Sequence, residues 1–239
     1  MAALLRCLSN ARVLHLLFGE SETDINSGYA PIHMPNLLEL TLSPIAWPAR
    51  MKTPNLIRLD TRGYQFKDDS ATQHLSEHFG SKISHLIVDE TLSRAINKEY
   101  SNGIGTQFES LRTLRITGSS TTAWVVHLPS IRIIDFTYPF TYRPLNSLLL
   151  DLLRHPEALP NLSTIKTRIY PCWELLFEVL RRRNTVQMRR IQELVLPGVP
   201  ALAILSRLVK LLQGHTDVYT NRDIDQVIYK RSTDKSLYV

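Results

Sequence analysis

Apolar residues recur along this chain in one spacing, L-x-x-L-x-L, with any apolar side chain admitted at L. Eight segments carry it: Val13-Leu16-Phe18, Leu37-Leu40-Leu42, Leu56-Leu59-Thr61, Ile83-Leu86-Val88, Leu111-Leu114-Ile116, Ile131-Ile134-Phe136, Leu162-Ile165-Thr167 and Ile191-Leu194-Leu196. The last two positions are two apart, so in a strand they share one face while their neighbours point away. First positions follow one another at 19 to 31 residues, a leucine-rich-repeat period. One such turn cannot bury its own apolar row, so turns must stack and pair strand to strand in parallel. The pattern predicts an α/β fold: an irregular leucine-rich-repeat solenoid with parallel strands on a concave face and helices or extended segments on a convex one. Thr61 and Thr167 stand at inward positions that a half-buried strand tolerates.

Proline stands two residues before the first apolar position at Pro35, Pro54, Pro129 and Pro160. Its fixed backbone angle ends the return segment and starts the strand, which predicts a loop-to-strand corner. Three long intervals carry helical stripes: Leu145, Leu148, Leu149, Leu152 and Leu153; Trp173, Leu176, Phe177 and Leu180; Leu202, Leu205, Val209 and Leu212. These stripes should pack against the inner face of the strands. The two shortest intervals leave little room for a helix and call for extended or single-turn closures. Segments 19–33 and 97–107 are polar and turn-rich and read as loops. The expected organisation is a solenoid over residues 1–214 and a C-terminal tail or cap over 215–239. The ninth repeat position, where Asn or Cys would hold the turn, carries Ile45, Tyr64, Thr91, Ser119, Pro139, Tyr170 and Val199. No asparagine ladder is expected there, and the arc should be irregular.

Composition changes this picture little. Hydrophobic residues make up 44% of the 239 residues and charged residues 21%, ordinary globular values. No apolar run approaches the roughly 20 residues of a membrane span. Arg6, Arg12 and His15 divide the apolar start, unlike a signal peptide. Two cysteines, Cys7 and Cys172, exclude a disulfide framework, so the expected compartment is cytoplasm or nucleus. The net charge of +6 comes from the C-terminal part, where Arg181, Arg182, Arg183, Arg189 and Arg190 cluster with no acid between them. Such a patch suits nucleic acid or an acidic protein surface, and nucleic-acid binding through it is the alternative reading of function.

Catalytic and cofactor chemistry is sparse. His74 and His78 at i, i+4 could share a metal with His85 or Asp69, but the order is not His-Glu-x-x-His, and solvated histidines are the simpler reading. The glycines of "NGIGT" lack the third glycine of a phosphate-binding turn. Cys172 near a helix start reads as a small buried residue. Arg181 to Arg183 close a helix, where cations offset its negative end. The sequence offers no catalytic residue, cofactor or metal site, and the chain reads as a non-enzyme.

What remains is the outward row of the strands: Glu39, Thr41, Arg58, Asp60, Arg62, His85, Ile87, Thr113, Arg115, Ile133, Asp135, Lys166, Arg168 and Glu193. Arginine, acids and isoleucine mixed on one surface are what a protein-binding face offers.

The phrases "LPNLSTIKTRIYPCWELLFEVLRRRN" and "IQELVLPGVPALAILSRLVKLLQG" resemble the C-terminal part of fungal, mushroom-type F-box proteins with irregular leucine-rich repeats, a resemblance that extends from about Leu37 to Gly214. It implies that the repeats recognise a target protein for ubiquitin-dependent turnover. In such proteins an N-terminal F-box opening on Leu-Pro docks the linker subunit of a ubiquitin ligase. Here every Leu-Pro, at 128, 159 and 196, lies inside the repeats. The expectation is a relative without that domain or a sequence whose beginning lies upstream, and ligase docking falls on no residue present.

Overall fold

The computed structural model describes residues 7–16, 32–42, 51–61, 82–101, 108–118, 122–138, 143–185, 190–212, 217–220 and 227–229. Within them the repeated segments become short strands in two compact units, Met1–Ser120 and Thr121–Val239. The first holds β1 (Val13–Leu16), β2 (Ile32–His33), β3 (Glu39–Leu42), β4 (Met51–Lys52), β5 (Arg58–Asp60), β6 (His85–Val88), α1 (Glu90–Ser101) and β7 (Thr113–Thr117). The second holds a 3₁₀ turn (Ala123–His127), β8 (Ile133–Tyr138), α2 (Arg143–Arg154), β9 (Thr164–Thr167), α3 (Trp173–Thr185), β10 (Glu193–Leu196), α4 (Leu202–Leu212), β11 (Asp217–Thr220) and β12 (Val227–Tyr229).

In the first unit β1, β3, β5, β6 and β7 pair in parallel in that order, which sets Leu14, Leu40, Leu59, Leu86 and Leu114 side by side. In the second, β8, β9, β10 and β11 do the same with Ile134, Ile165, Leu194 and Val218. All nine side chains are buried. One strand per sequence period, paired in parallel with the next over an apolar column, is an α/β leucine-rich-repeat-like layout. The column exists because no single three- to six-residue strand has apolar area enough to stand alone.

One assignment made from spacing is corrected. Leu14, not Leu16, lies opposite Leu40, so the first repeat begins two residues earlier than Val13, and Val13 is 49% exposed. Within the tail or cap expected over 215–239, β11 pairs in parallel with β10 and β12 runs antiparallel to β11.

The corners explain the recurring phrase. Leu37, Leu56, Ile131 and Leu162 each donate a backbone N–H to the carbonyl three residues back, that of Met34, Thr53, Leu128 and Leu159, at 3.0–3.3 Å. Pro35, Pro54, Pro129 and Pro160 therefore occupy the second position of a β-turn, where their fixed φ fits. Leu8 and Ala11 close the same turn before β1 without proline. After each turn one carbonyl accepts two consecutive N–H groups of the next repeat: Arg12 from Leu38 and Glu39, Leu38 from Ile57 and Arg58, Ile57 from Ser84 and His85, Ser84 from Arg112 and Thr113. Arg132 and Ser163 repeat the device in the second unit.

A side-chain ladder runs along these corners, one position before the first apolar residue. Asn55 donates to the carbonyl of Pro35 (2.7 Å), Lys82 to that of Pro54 (2.9 Å) and Asn161 to that of Pro129 (2.9 Å). The ninth position carries no asparagine, but Asn55 and Asn161 link turns at the corner instead. Asn161→Ala is expected to cost about 1 kcal/mol, read as a lower urea midpoint at unchanged m-value; an unaltered midpoint would show the bond to be dispensable.

Buried threonines have their hydroxyls satisfied, Thr61 and Thr167 at inward positions and Thr117 at the end of β7 after Ile116. Thr61 donates to the carbonyl of Ile87 and Thr117 to that of Val88, both at 3.0 Å, while Thr167 bonds the carbonyl of Ile169 at 2.7 Å. Thr61 and Thr167 are fully buried at their inward positions, which hydrogen bonding makes tolerable.

In the short intervals the described residues show β4, paired in parallel with β2, and the 3₁₀ turn before β8; residues 43–50 lie outside the described residues. Helix α2 buries Leu145, Leu148, Leu149 and Leu152 against the 3₁₀ turn and α3. Helix α3 buries Leu176, Phe177, Val179 and Leu180. Helix α1 covers 97–101, a stretch that composition alone assigns to a loop; the Asp89 carboxylate caps it by accepting the Leu92 N–H at 2.9 Å. In α4 the expected stripe is rotated: Leu208 is buried, whereas Leu202 is 79% exposed.

Candidate functional site

Parallel register turns the outward positions into rows. In the first unit one row runs Val13, Glu39, Arg58, His85, Thr113 and the next runs His15, Thr41, Asp60, Ile87, Arg115. In the second unit the rows are Ile133, Thr164, Glu193, Asp217 and Asp135, Lys166, Val195, Tyr219. Neighbours in a row stand one strand spacing apart, about 4.8 Å. The sequence-assigned residues are thus brought together, apart from Arg168, exposed just beyond the end of β9, and Arg62, which lies outside the described residues.

Exposure within the rows is uneven. Arg58 and His85 are exposed and Glu39, Thr41, Thr113, Arg115, Ile133, Lys166 and Glu193 half-exposed, whereas Asp60, Ile87 and Asp135 are buried. These three offer a partner little surface. The row members that spacing overlooked are Val13, His15, Thr164, Val195, Asp217 and Tyr219. The Leu8 to Ala11 turn is the signal that would have found the first two.

Polar contacts tie the first unit's rows together. The Arg58 guanidinium lies 3.8 Å from the Glu39 carboxylate, with both side chains nearly half exposed, a pair worth under about 1 kcal/mol. His15 Nδ1 meets Thr41 Oγ1 at 2.9 Å, and His85 Nδ1 meets Ser84 Oγ at 2.8 Å. Partial burial, and then the Arg58 charge, hold the His85 pKa below the usual histidine value, with Glu39 opposing. His85 is therefore neutral at pH 7. In the second unit Thr164 donates to the Glu193 carboxylate at 3.3 Å.

The arginine cluster is engaged by its own surroundings. Arg181 grips the Glu178 carboxylate with two bonds of 2.7 and 2.8 Å. Arg182 shares that carboxylate at 2.8 Å and donates to the Leu153 carbonyl at 2.9 Å. The two guanidiniums hold Glu178 at a pKa of about 2. Arg183 is 2% exposed and donates to the carbonyls of Ala158, Leu159 and Leu162. Burial lowers its pKa to about 10, so it remains charged at neutral pH. Arg183 is thus taken up inside the fold, while Arg181 and Arg182 share one carboxylate at its surface. Arg190 is exposed, and Arg189 lies outside the described residues.

Cys172 is exposed, not buried. Its N–H donates to Asn146 Oδ1 at 2.9 Å and its carbonyl accepts the Leu176 N–H, so it sits at the start of α3 for its backbone bonds. His74, His78, Asp69 and the "NGIGT" glycines lie outside the described residues. Among the described residues no group of three metal-ligating side chains occurs, and no helix is long and apolar enough to cross a membrane.

No family model matches this chain, and no curated protein does. Among solved structures, an internalin (inlF) from Listeria monocytogenes str. 4b F2365 is similar at 13% identity, over 92% of this chain and 76% of that one, with a TM-score of 0.34. Likeness of that degree carries no functional weight.

Proposed function

We propose that the chain is a non-catalytic protein-interaction module, with each strand ladder forming part of an irregular leucine-rich-repeat solenoid whose concave side is the outward rows. The observation that supports this most is the alignment of Glu39, Arg58 and His85 and of Thr41, Asp60, Ile87 and Arg115 on adjacent strands. Parallel stacking makes one broad surface of side chains far apart in sequence, which is how repeat proteins bind other proteins. A target protein on this face is the partner, and the resemblance to F-box proteins gives the reading its finer form: recognition of a substrate for ubiquitin-dependent turnover.

Two experiments test it. The double variant Arg58→Glu, Arg115→Glu is expected to abolish cross-linking of a partner through a photoreactive residue at position 15, with an unchanged thermal melt. Capture that survives charge reversal would overturn the choice of face. The ligase-linked form is tested by reading the transcript upstream of Met1 for an in-frame helical segment opening on Leu-Pro; a transcript without one would leave a binding module alone.

A further inference from the structure

The first unit's face carries a second layer of exposed side chains where its strands begin. The carbonyls that each accept two N–H groups put Arg12, Leu38, Ile57, Ser84 and Arg112 in line, one position before the row that runs from Val13 to Thr113. Arg12 and Arg112 are exposed. Ile57 is 44% exposed although its neighbours Leu56 and Leu59 are fully buried. Val13, at 49%, stands one position on and two strands away, and Leu38 lies half-exposed between them.

The charges around this apolar centre are predominantly of one sign. Arg12, Arg58 and Arg112 are exposed cations. Of the acids in the rows, Asp60 is buried and Glu39 already faces Arg58 at 3.8 Å. That contact is long and open to solvent, so an incoming carboxylate can replace Glu39 at little cost. Exposed isoleucine and valine ringed by arginine make a small centre of binding energy with a polar rim.

We propose that this face takes an acidic peptide segment of its partner, with a large apolar side chain seated on Ile57 and Val13 and carboxylates on Arg58 and the flanking Arg12 and Arg112. The proposal rests on the reading of the rows as the interaction surface and names the chemistry of what they recognise. Electrostatic attraction would speed the encounter, and the apolar contact would slow release.

The probe is a ten-residue peptide of alternating Glu and Leu, compared by fluorescence anisotropy with a Lys/Leu and a Glu/Ser counterpart on the full chain. The Glu/Leu peptide is expected to bind at least tenfold more tightly than either counterpart and to weaken severalfold between 50 and 200 mM salt. Arg58→Glu and Ile57→Ser should each weaken it about tenfold, while Lys98→Glu on α1 should not. Equal binding of the Lys/Leu peptide, no preference over Glu/Ser, indifference to Arg58→Glu or no binding at millimolar peptide would each overturn the proposal. If the peptide fails while partner cross-linking still depends on Arg58 and Arg115, the face stands and its acidic occupant does not; if both fail, both readings go.

Discussion

Arg183→Met is expected to destabilise the second unit by about 3 kcal/mol or more. The methionine keeps the aliphatic stem but removes the planar fork. The carbonyls of Ala158, Leu159 and Leu162, now bonded at 3.2, 2.9 and 3.5 Å, would lose their donor in a setting 2% exposed. Leu159 adds to the cost, because it holds a φ of 51°, a left-handed conformation unfavourable to a non-glycine residue by about 1–2 kcal/mol. The turn that requires it leads into β9, and the arginine is what fastens it. Arg183→Lys should fall between, since an ammonium carries the charge without the fork. Arg181→Gln, which alters only the exposed bonds to Glu178, should change stability by less than about 0.5 kcal/mol. Chemical denaturation reads all three; a loss under about 1 kcal/mol for the methionine variant would mean that the loop does not depend on this clamp.

Leu86→Ala is expected to cost about 3 kcal/mol, roughly a 10 °C fall in Tm for a chain of this size. Leu86 is 1% exposed and stands between Leu59 and Leu114, so the lost volume opens inside a column whose neighbours are fixed by backbone pairing and cannot close it. The companion variant Val13→Ala decides the register of the first repeat. Spacing alone puts Val13 at an inward position; the pairing of Leu14 with Leu40 puts it outward. Loss below about 0.5 kcal/mol fits the outward position, and a cost comparable with that of Leu86→Ala would restore the inward one.

Repeat geometry was legible because burial demands apolar residues at fixed offsets, and seven of the eight strand assignments fall where the pairing places them. The first slipped because Val13, Leu14, Leu16, Leu17 and Phe18 offer two overlapping matches, and only the turn closed by Leu8 and Ala11 separates them. Strand β11 escaped because Val218 and Thr220 give the motif a single apolar anchor. Helix α1 was missed since its buried face is chiefly Leu92 and Ile96, too little for a stripe. The outward row was readable as a set of positions, but the burial of Asp60, Ile87 and Asp135 depends on neighbours from other repeats. For the arginines, sequence showed the charges and not their acceptors. Glu178 is one helical turn away, but the carbonyls held by Arg183 lie 21 to 25 residues back along the chain.

The doubly accepting carbonyls fix each repeat where it begins, whatever the length of the segment beyond its strand. Intervals of very different length therefore coexist without disturbing alignment, because the return path is never asked to set the phase. A designer could shorten, lengthen or exchange a return segment, or graft a foreign loop onto one, and the next strand would still find its place.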